Sequence, residues 1–366
     1  GPGFPFWHGK GMIVMNKLID FWRREHESAG YQEIKTPIIL NEDLWHQSGH
    51  WDNYKENMYF TQIDEQDYAV KPMNCPGGML VYKATMHSYK EFPIRAGELG
   101  LVHRHELSGT LHGLFRVRAF TQDDAHIFCT PEQVEPELTG VIELAKKFYD
   151  KFGFDFHVEL STRPEKSIGS DEVWEVAEST LENVIKDSGI PYEINPGDGA
   201  FYGPKLDFHL KDAIGRTWQC GTVQLDFAMP DRFDLEYIDK DGKKKRPVML
   251  HRVIFGSIER FIGILLEHTA GHLPLFLAPV QAAILPISGQ QKDYAEEVCS
   301  AIKAAGGRPE LFEEDDTLSK RIRNSQTRKI PYSVILGEEE INNKSVTIRK
   351  YGEQKDEKMP LDAFLE

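Results

Sequence analysis

Arg116-Val-Arg-Ala-Phe-Thr-Gln-Asp-Asp-Ala-His-Ile-Phe128 is the stretch on which the fold reading turns. Successive side chains of a β-strand point to opposite faces. Read as a strand, one face carries Arg116, Arg118, Phe120, Gln122, Asp124 and His126. The other carries Val117, Ala119, Thr121, Asp123, Ala125 and Ile127, mostly small and apolar. A half-buried strand with a solvated polar side shows this alternation. A strand lining a ligand site shows it too, and a solvent face rarely gathers arginines, an aromatic ring, a carboxylate and an imidazole in one file. Phe120 to His126 spans roughly 20 Å, enough for a nucleotide base at one end and a small polar group at the other.

Around this stretch the chain reads as strands decorated by helices. Met12, Met15, Leu18, Ile19 and Trp22 recur at helical spacing, which predicts a helix over 10–30 ended by Gly30. A strand is expected over 31–36, before Pro37, and an irregular aromatic-rich segment over 38–60. A helix is expected after Pro76, strands over 94–105 and 115–128, and helices over 132–152 and 171–188. Two antiparallel strands fill 201–227, turning near Asp212 to Gly215. Lys243 to Arg246 follows the Asp241-Gly242 turn and reads as a solvated hairpin tip. A helix is expected over 251–269. The absence of regular βαβ alternation predicts an α+β fold, a mostly antiparallel sheet flanked by helices. The Gly- and Pro-containing segment 271–279 reads as a hinge. Beyond it, alternating strand and helix signals predict a small α/β domain with parallel strands. The expected division is 1–274 and 275–366.

Composition bounds the function classes. The 366 residues are 40% apolar and 28% charged, with a net charge of −15. That is a globular balance, and it argues against broad nonspecific nucleic-acid binding without excluding one folded RNA. No apolar run reaches the roughly 20 residues of a membrane span. Cys75, Cys129, Cys220 and Cys299 contain no CxxC pair, which argues for a reducing, cytoplasmic compartment and against a conventional zinc finger. The chain opens Gly-Pro-Gly without Met, so it is expected to be a fragment or a processed chain.

Three further elements carry chemistry-bearing residues. Arg104 and Glu106 would share a strand face, where arginine's planar fork suits phosphate; a surface salt bridge explains the pair equally well. The loop 107–114 has the composition of a lid. Glu259-Arg260 interrupts the apolar stripe of the predicted helix containing Gly256 and Gly263. One thiolate and two imidazoles, Cys75, His126 and His251, could hold zinc with a position left for substrate. Their scattered spacing gives no support to that set. Cys129 follows His126 by three and would face the opposite way on a strand.

Together these residues resemble the class II aminoacyl-tRNA synthetases, and within them the threonyl-tRNA synthetase family, over nearly the whole chain. Motif 1 resembles the first helix and the strand ending at Thr36-Pro37. Motif 2 resembles Arg104-His-Glu106, its loop and the strand from Arg116, and motif 3 resembles Gly256-Ser-Ile-Glu-Arg260. The threonine-specific likeness lies in Lys71-Pro-Met-Asn-Cys-Pro, Arg116 to Phe128, Gly199-Ala-Phe-Tyr-Gly-Pro-Lys205 and Trp218-Gln-Cys-Gly-Thr-Val-Gln-Leu-Asp-Phe227. Gly78 stands where the family often has histidine, which leaves the metal set untouched.

The resemblance implies that threonine and ATP, with Mg2+, form threonyl-adenylate, and that threonine then passes to the 3′ end of threonine tRNA. It implies Arg104 on the α-phosphate and Arg260 on the γ-phosphate, Phe120 stacked on adenine, and Glu106 and Arg116 holding the nucleotide. Lys205 and Gln219 would position the reacting groups, and His50 would assist transfer. It implies one Zn2+ per chain on Cys75, His126 and His251, with threonine-binding residues Asp124, Tyr202, Gln122 and Met73. That metal would select threonine against valine. A homodimer, an anticodon-binding tail, and no editing domain in this chain are also implied. Arg321, Arg323, Arg328 and Lys329 on one predicted helix could face RNA or solvent. A non-catalytic class II paralogue would lack Arg104, Arg260 or the metal set, and all are present. A zinc hydrolase would want a motif such as HExxH, and none occurs.

Overall fold

The elements that carry the quoted stretch form an eight-stranded sheet. The computed structural model describes residues 1–312 and 316–366. These group into two units, one of Gly1–Phe6 with Asp20–Ile264 and one of Trp7–Ile19 with Leu265–Glu366.

In the first unit the sheet strands are β1 (Gln32–Glu33), β2 (Ile94–His103), β3 (Ala119–Cys129), β4 (Asp155–Ser161), β5 (Tyr192–Asn195), β6 (Lys205–Lys211), β7 (Thr217–Asp226) and β8 (Val248–Val253). Their order is β1-β2-β3-β8-β7-β6-β4-β5. Only the two edge pairs, β1 with β2 and β4 with β5, are parallel. The α+β expectation therefore holds. Helices α2 (Glu42–Ser48), α3 (His50–Tyr54), α4 (Cys75–Lys83), α5 (Val134–Phe152) and α6 (Asp171–Ser188) accompany the strands, while α1 (Gly9–Ser28) and α7 (Ile258–His268) each run across the division between the units. α5 buries Leu138, Val141, Ile142, Ala145, Phe148 and Phe152 at helical spacing, and left-handed Gly153 ends it. Phe148 meets Phe21 at 4.9 Å and Phe255 at 5.1 Å between ring centres, which anchors α5 in an aromatic core.

Four expectations are corrected here. Segment 38–60 is not irregular: Asn41 caps α2 by accepting from Asp43 N at 2.8 Å, and Leu44 and Trp45 are buried. The strand expected over 31–36 shrinks to Gln32–Glu33. The quoted strand begins at Ala119, because its ladder with β2 ends at the pair His103 with Ala119. Arg116 and Arg118 thus lie before it, and Arg118 is held by the Glu106 carbonyl at 2.7 Å. Residues 251–253 are strand rather than helix, with ladder partners on both β3 and β7. The helix cannot begin until Gly256 has turned the chain at φ 79°, where an added Cβ would lie 2.5 Å from the Cys220 carbonyl oxygen.

The second unit holds a five-stranded sheet of β9 (Ala282–Pro286), β10 (Pro309–Leu311), β11 (Tyr332–Leu336), β12 (Ser345–Lys350) and β13 (Glu357–Pro360), in the order β10-β9-β11-β12-β13. Helices α8 (Lys292–Ala304) and α9 (Leu318–Thr327) complete the α/β character. The sheet is mixed, not parallel: β12 and β13 are antiparallel. The connection 337–344 is shorter than the dozen residues a parallel crossover needs. Arg321 is buried and donates to the Phe312 and Asp316 carbonyls, so it serves the fold. Arg328 forms two 2.6 Å bonds to Glu310, and both Arg323 and Arg328 are exposed.

Candidate active site

Two adjoining cavities open on one face of the eight-stranded sheet. The inner one, about 290 Å³, is lined by Met73, Cys75, Asp124, His126, Tyr202, Lys205 and His251, among others. The outer one, about 400 Å³, is lined by Glu106, Arg116, Phe120 and Arg260. Arg104, Gln122, Gln219 and Val253 line both. Strand alternation on β3 thus places Phe120 and Gln122 at one end, and Asp124 and His126 at the other.

At the inner end, His126 on β3 and His251 on β8 are direct cross-strand partners. Cys75, the first residue of α4, completes the set: one ligand atom from each residue lies within 4.8 Å of the others. All three are buried. His126 Nε2 has no hydrogen-bond partner among the described residues. His251 Nε2 lies 2.8 Å from Asp226 Oδ2, which leaves Nδ1 for a ligand. Asp226 is itself oriented by the amides of Ala228 and Met229 through Oδ1. A histidine backed by a carboxylate is the usual second layer of a metal site. Burial, with the Asp124 and Asp226 charges, pushes the Cys75 thiol well up, and burial drives His126 well down. A bound dication would favour the thiolate and the neutral imidazole. The donor set therefore fits zinc. Cys129 stays outside it, with burial raising its thiol to about 12.

Asp124 accepts from Asn74 Nδ2 at 3.1 Å, and burial raises its carboxyl against that bond. Tyr202 donates to Gln224 Oε1 at 2.5 Å. Lys205 lies 2.7 Å from Asp207 and 3.1 Å from Asp198; burial alone would lower its ammonium, but the two carboxylates outweigh it and raise it. Asp207 also accepts from Gln219 and Thr222, both at 2.7 Å. Gln219 reaches this face through a bulge. Asp207 pairs with Thr222 but His209 pairs with Gln219, so one extra β7 residue shifts the alternation.

At the outer end, the Arg104 guanidinium lies 5.2 Å from the Phe120 ring centre and donates to the Pro72 carbonyl at 3.1 Å. Arg116 is held by Glu106 at 2.9 Å. Arg260 is fixed by the carbonyls of Gln219 at 3.0 Å and Phe115 at 2.9 Å. Three guanidiniums lining one cavity with an aromatic ring suit a polyphosphate and a base.

His50 is placed differently. It is fully buried and lines neither cavity. Its Nε2 touches Met73 Sδ at 3.1 Å and lies 4.0 Å from Cys75 Sγ, and burial drives its pKa down to about 3. The sequence reading passed over Asn74, Asp207, Gln224 and Asp226. Alternation along β7 would have grouped Thr222, Gln224 and Asp226 on one face.

Residues 59–269 match the family model of the tRNA synthetase class II core domain (G, H, P, S and T), and residues 281–366 match that of an anticodon binding domain. A crystal structure of the RNA binding domain of threonyl-tRNA synthetase from Cryptosporidium parvum superposes with a TM-score of 0.96 at 43% identity, covering 100% of this chain and 92% of that one. The chain belongs to the threonyl-tRNA synthetase family of class II synthetases. A second member, the putative threonyl-tRNA synthetase of Aeropyrum pernix, superposes at 0.86 with 33% identity, over 98% of this chain and 84% of that one. The threonine–tRNA ligase of Carboxydothermus hydrogenoformans is 61% identical over 366 residues. The chain spans 58% of that relative's length. None of the helices among the described residues is long and apolar enough to cross a membrane.

Proposed function

We propose that the chain activates threonine with ATP to threonyl-adenylate and transfers it to the 3′ end of threonine tRNA. The observation that carries this reading is the continuity of the two cavities through Arg104, Gln122 and Gln219. An amino-acid carboxylate in the inner cavity and an α-phosphate in the outer one would meet beside them.

In this reading Phe120 stacks on adenine, and Glu106 and Arg116 hold the nucleotide. Arg104 and Arg260, already fixed by backbone carbonyls, stabilise the charge that builds at the α- and γ-phosphates, with Mg2+ accompanying ATP. Lys205 and Gln219, tied together through Asp207, orient the reacting groups. Cys75, His126 and His251 would hold one Zn2+, which supplies Lewis-acidic coordination for an amino alcohol. Asp124 accepts the threonine hydroxyl proton in a hydrogen bond, Tyr202 contacts the amino group, and Gln122 and Met73 complete the wall. Valine lacks the hydroxyl and leaves those polar groups unpaired, which an apolar pocket alone could not exploit. His50 assists transfer as a neutral imidazole from behind the cavity wall, through its contact with Met73. The C-terminal segment, about 275–366, binds the anticodon, and the enzyme works as a cytoplasmic homodimer through motif 1.

ATP–pyrophosphate exchange with each amino acid in turn, followed by charging of threonine tRNA, tests the reading. Threonine should give the highest exchange. Preferred exchange with proline would reassign the substrate, and no exchange with any amino acid would point to a non-catalytic paralogue. Sedimentation of a fully active monomer would refute the dimer.

A further inference from the structure

A second convergence of metal-type donors lies further along the sheet. His157 and Glu159 are two apart on β4 and share a face, and His209 on β6 is the direct cross-strand partner of His157. One ligand atom from each of the three lies within 4.8 Å of the others. The two imidazoles stack with centres 5.1 Å apart and planes 20° apart.

Ordinary hydrogen bonding does not account for this cluster. His157 Nε2 lies 3.8 Å from Glu159 Oε1, and His209 Nε2 lies 3.5 Å from Glu159 Oε2. Both exceed the 2.7–3.2 Å range of an N–H···O bond. His209 Nε2 is shielded from solvent yet has no hydrogen-bond partner among the described residues. A buried polar atom without a partner is costly. The Glu159 carboxylate is not free to swing onto either ring, because Asn195 Nδ2 on neighbouring β5 donates to its Oε2 at 3.0 Å. Donors about 3.4 Å apart are what an ion with bonds of about 2.1 Å would place along a tetrahedral edge. The side chains of His157, Glu159 and His209 are 33%, 25% and 18% exposed, so an ion can enter from solvent and keep water ligands.

We propose that His157, Glu159 and His209 form a second metal site, distinct from Cys75, His126 and His251, that takes a divalent first-row transition ion. Two imidazoles and one carboxylate suit Zn2+, Co2+ or Ni2+ rather than Mg2+ or Ca2+, which favour all-oxygen shells. The ion clamps β4 to β6, with Asn195 on β5 as the outer support of the carboxylate. The site adjoins the cleft without entering it: Asp207, which holds Lys205 and Gln219, is the cross-strand partner of Glu159.

The test strips the full chain of metal and titrates it with Co2+ at micromolar free concentration, reading bound metal per chain and the thiolate-to-cobalt charge-transfer band. Wild type should bind two ions, only one of which contributes to that band. His209→Asn, His157→Asn and Glu159→Gln should each bind one ion and keep the band at full intensity. Cys75→Ala should lose the band and still bind an ion at the second site. Because the band reports the first site alone, it also shows that each variant is folded. A wild type that binds one ion, with the full band, would overturn the proposal. So would a second ion that persists undiminished in all three variants. Neither result bears on threonine activation, so failure here is separable from failure of the proposed function.

Discussion

Replacing Glu259 by Gln should remove a pH-dependent weakness in the first unit. Glu259, in the motif 3 helix, is 3% exposed, and its Oε2 accepts from the Thr121 amide at 2.8 Å. That bond ties α7 to the strand carrying Phe120 and Gln122. Burial dominates its electrostatics and raises its carboxyl from 4.5 to about 7. Below pH 4.5 the folded and unfolded chains both carry the proton, and the group contributes nothing to pH dependence. Between 4.5 and 7 the unfolded chain releases its proton while the folded chain retains it. Stability therefore falls with rising pH across that window, by about 1.4 kcal/mol per pH unit. Above pH 7 both forms are ionised, and the folded state has lost about 3 kcal/mol relative to acid conditions. Gln keeps an oxygen for Thr121 and never ionises. The assay is urea denaturation of wild type and Glu259→Gln, followed by tryptophan fluorescence, at several pH values from 5 to 8.5. The difference between the two curves isolates Glu259 from every other titrating group. Glu259→Gln should gain on wild type by about 3 kcal/mol between the ends of the range. Parallel pH profiles would show that Glu259 is already ionised near its ordinary value when folded, and would refute the burial argument.

Cys75→Ala should abolish zinc binding at the first site together with threonine activation, whereas Cys129→Ala should retain both; metal analysis and pyrophosphate exchange on the same samples check this. Cutting the chain after residue 274 should leave adenylate formation largely intact and weaken tRNA charging by orders of magnitude, and equal loss of both would contradict the division of labour. Serine carries the same amino and hydroxyl groups as threonine and lacks one methyl, worth about 1–3 kcal/mol or 10–200-fold. Labelled serine should therefore be charged onto threonine tRNA at a measurable rate and valine should not. The seryl-tRNA should then persist in the presence of the 366-residue chain, and rapid enzyme-dependent deacylation would reveal an editing site within it.

How far the sequence reaches is clearest along β3. Period-two alternation alone put Phe120, Gln122, Asp124 and His126 on one face, and all four line the two cavities. Strand geometry fixes that face locally, so no tertiary information was needed. The same rule failed for Arg118 because whether a residue lies in a strand depends on a partner strand, and β2 stops at His103. It would fail again for Gln219, which a bulge moves onto the face of Thr222 and Gln224.

Local pattern also could not place His251. Its neighbours Val248 to Val253 are apolar enough for a buried helix or a central strand, and only pairing on both edges selects the strand. That choice brings His251 opposite His126, with Cys75 delivered by the start of α4. Three residues separated by 51 and 125 positions carry no spacing signal. The sequence by itself determined an antiparallel α+β unit, a small α/β tail and the residue types for phosphate, base and metal. The tertiary structure decided which of them meet, because convergence in space depends on strand order and register, to which no short stretch of sequence is sensitive.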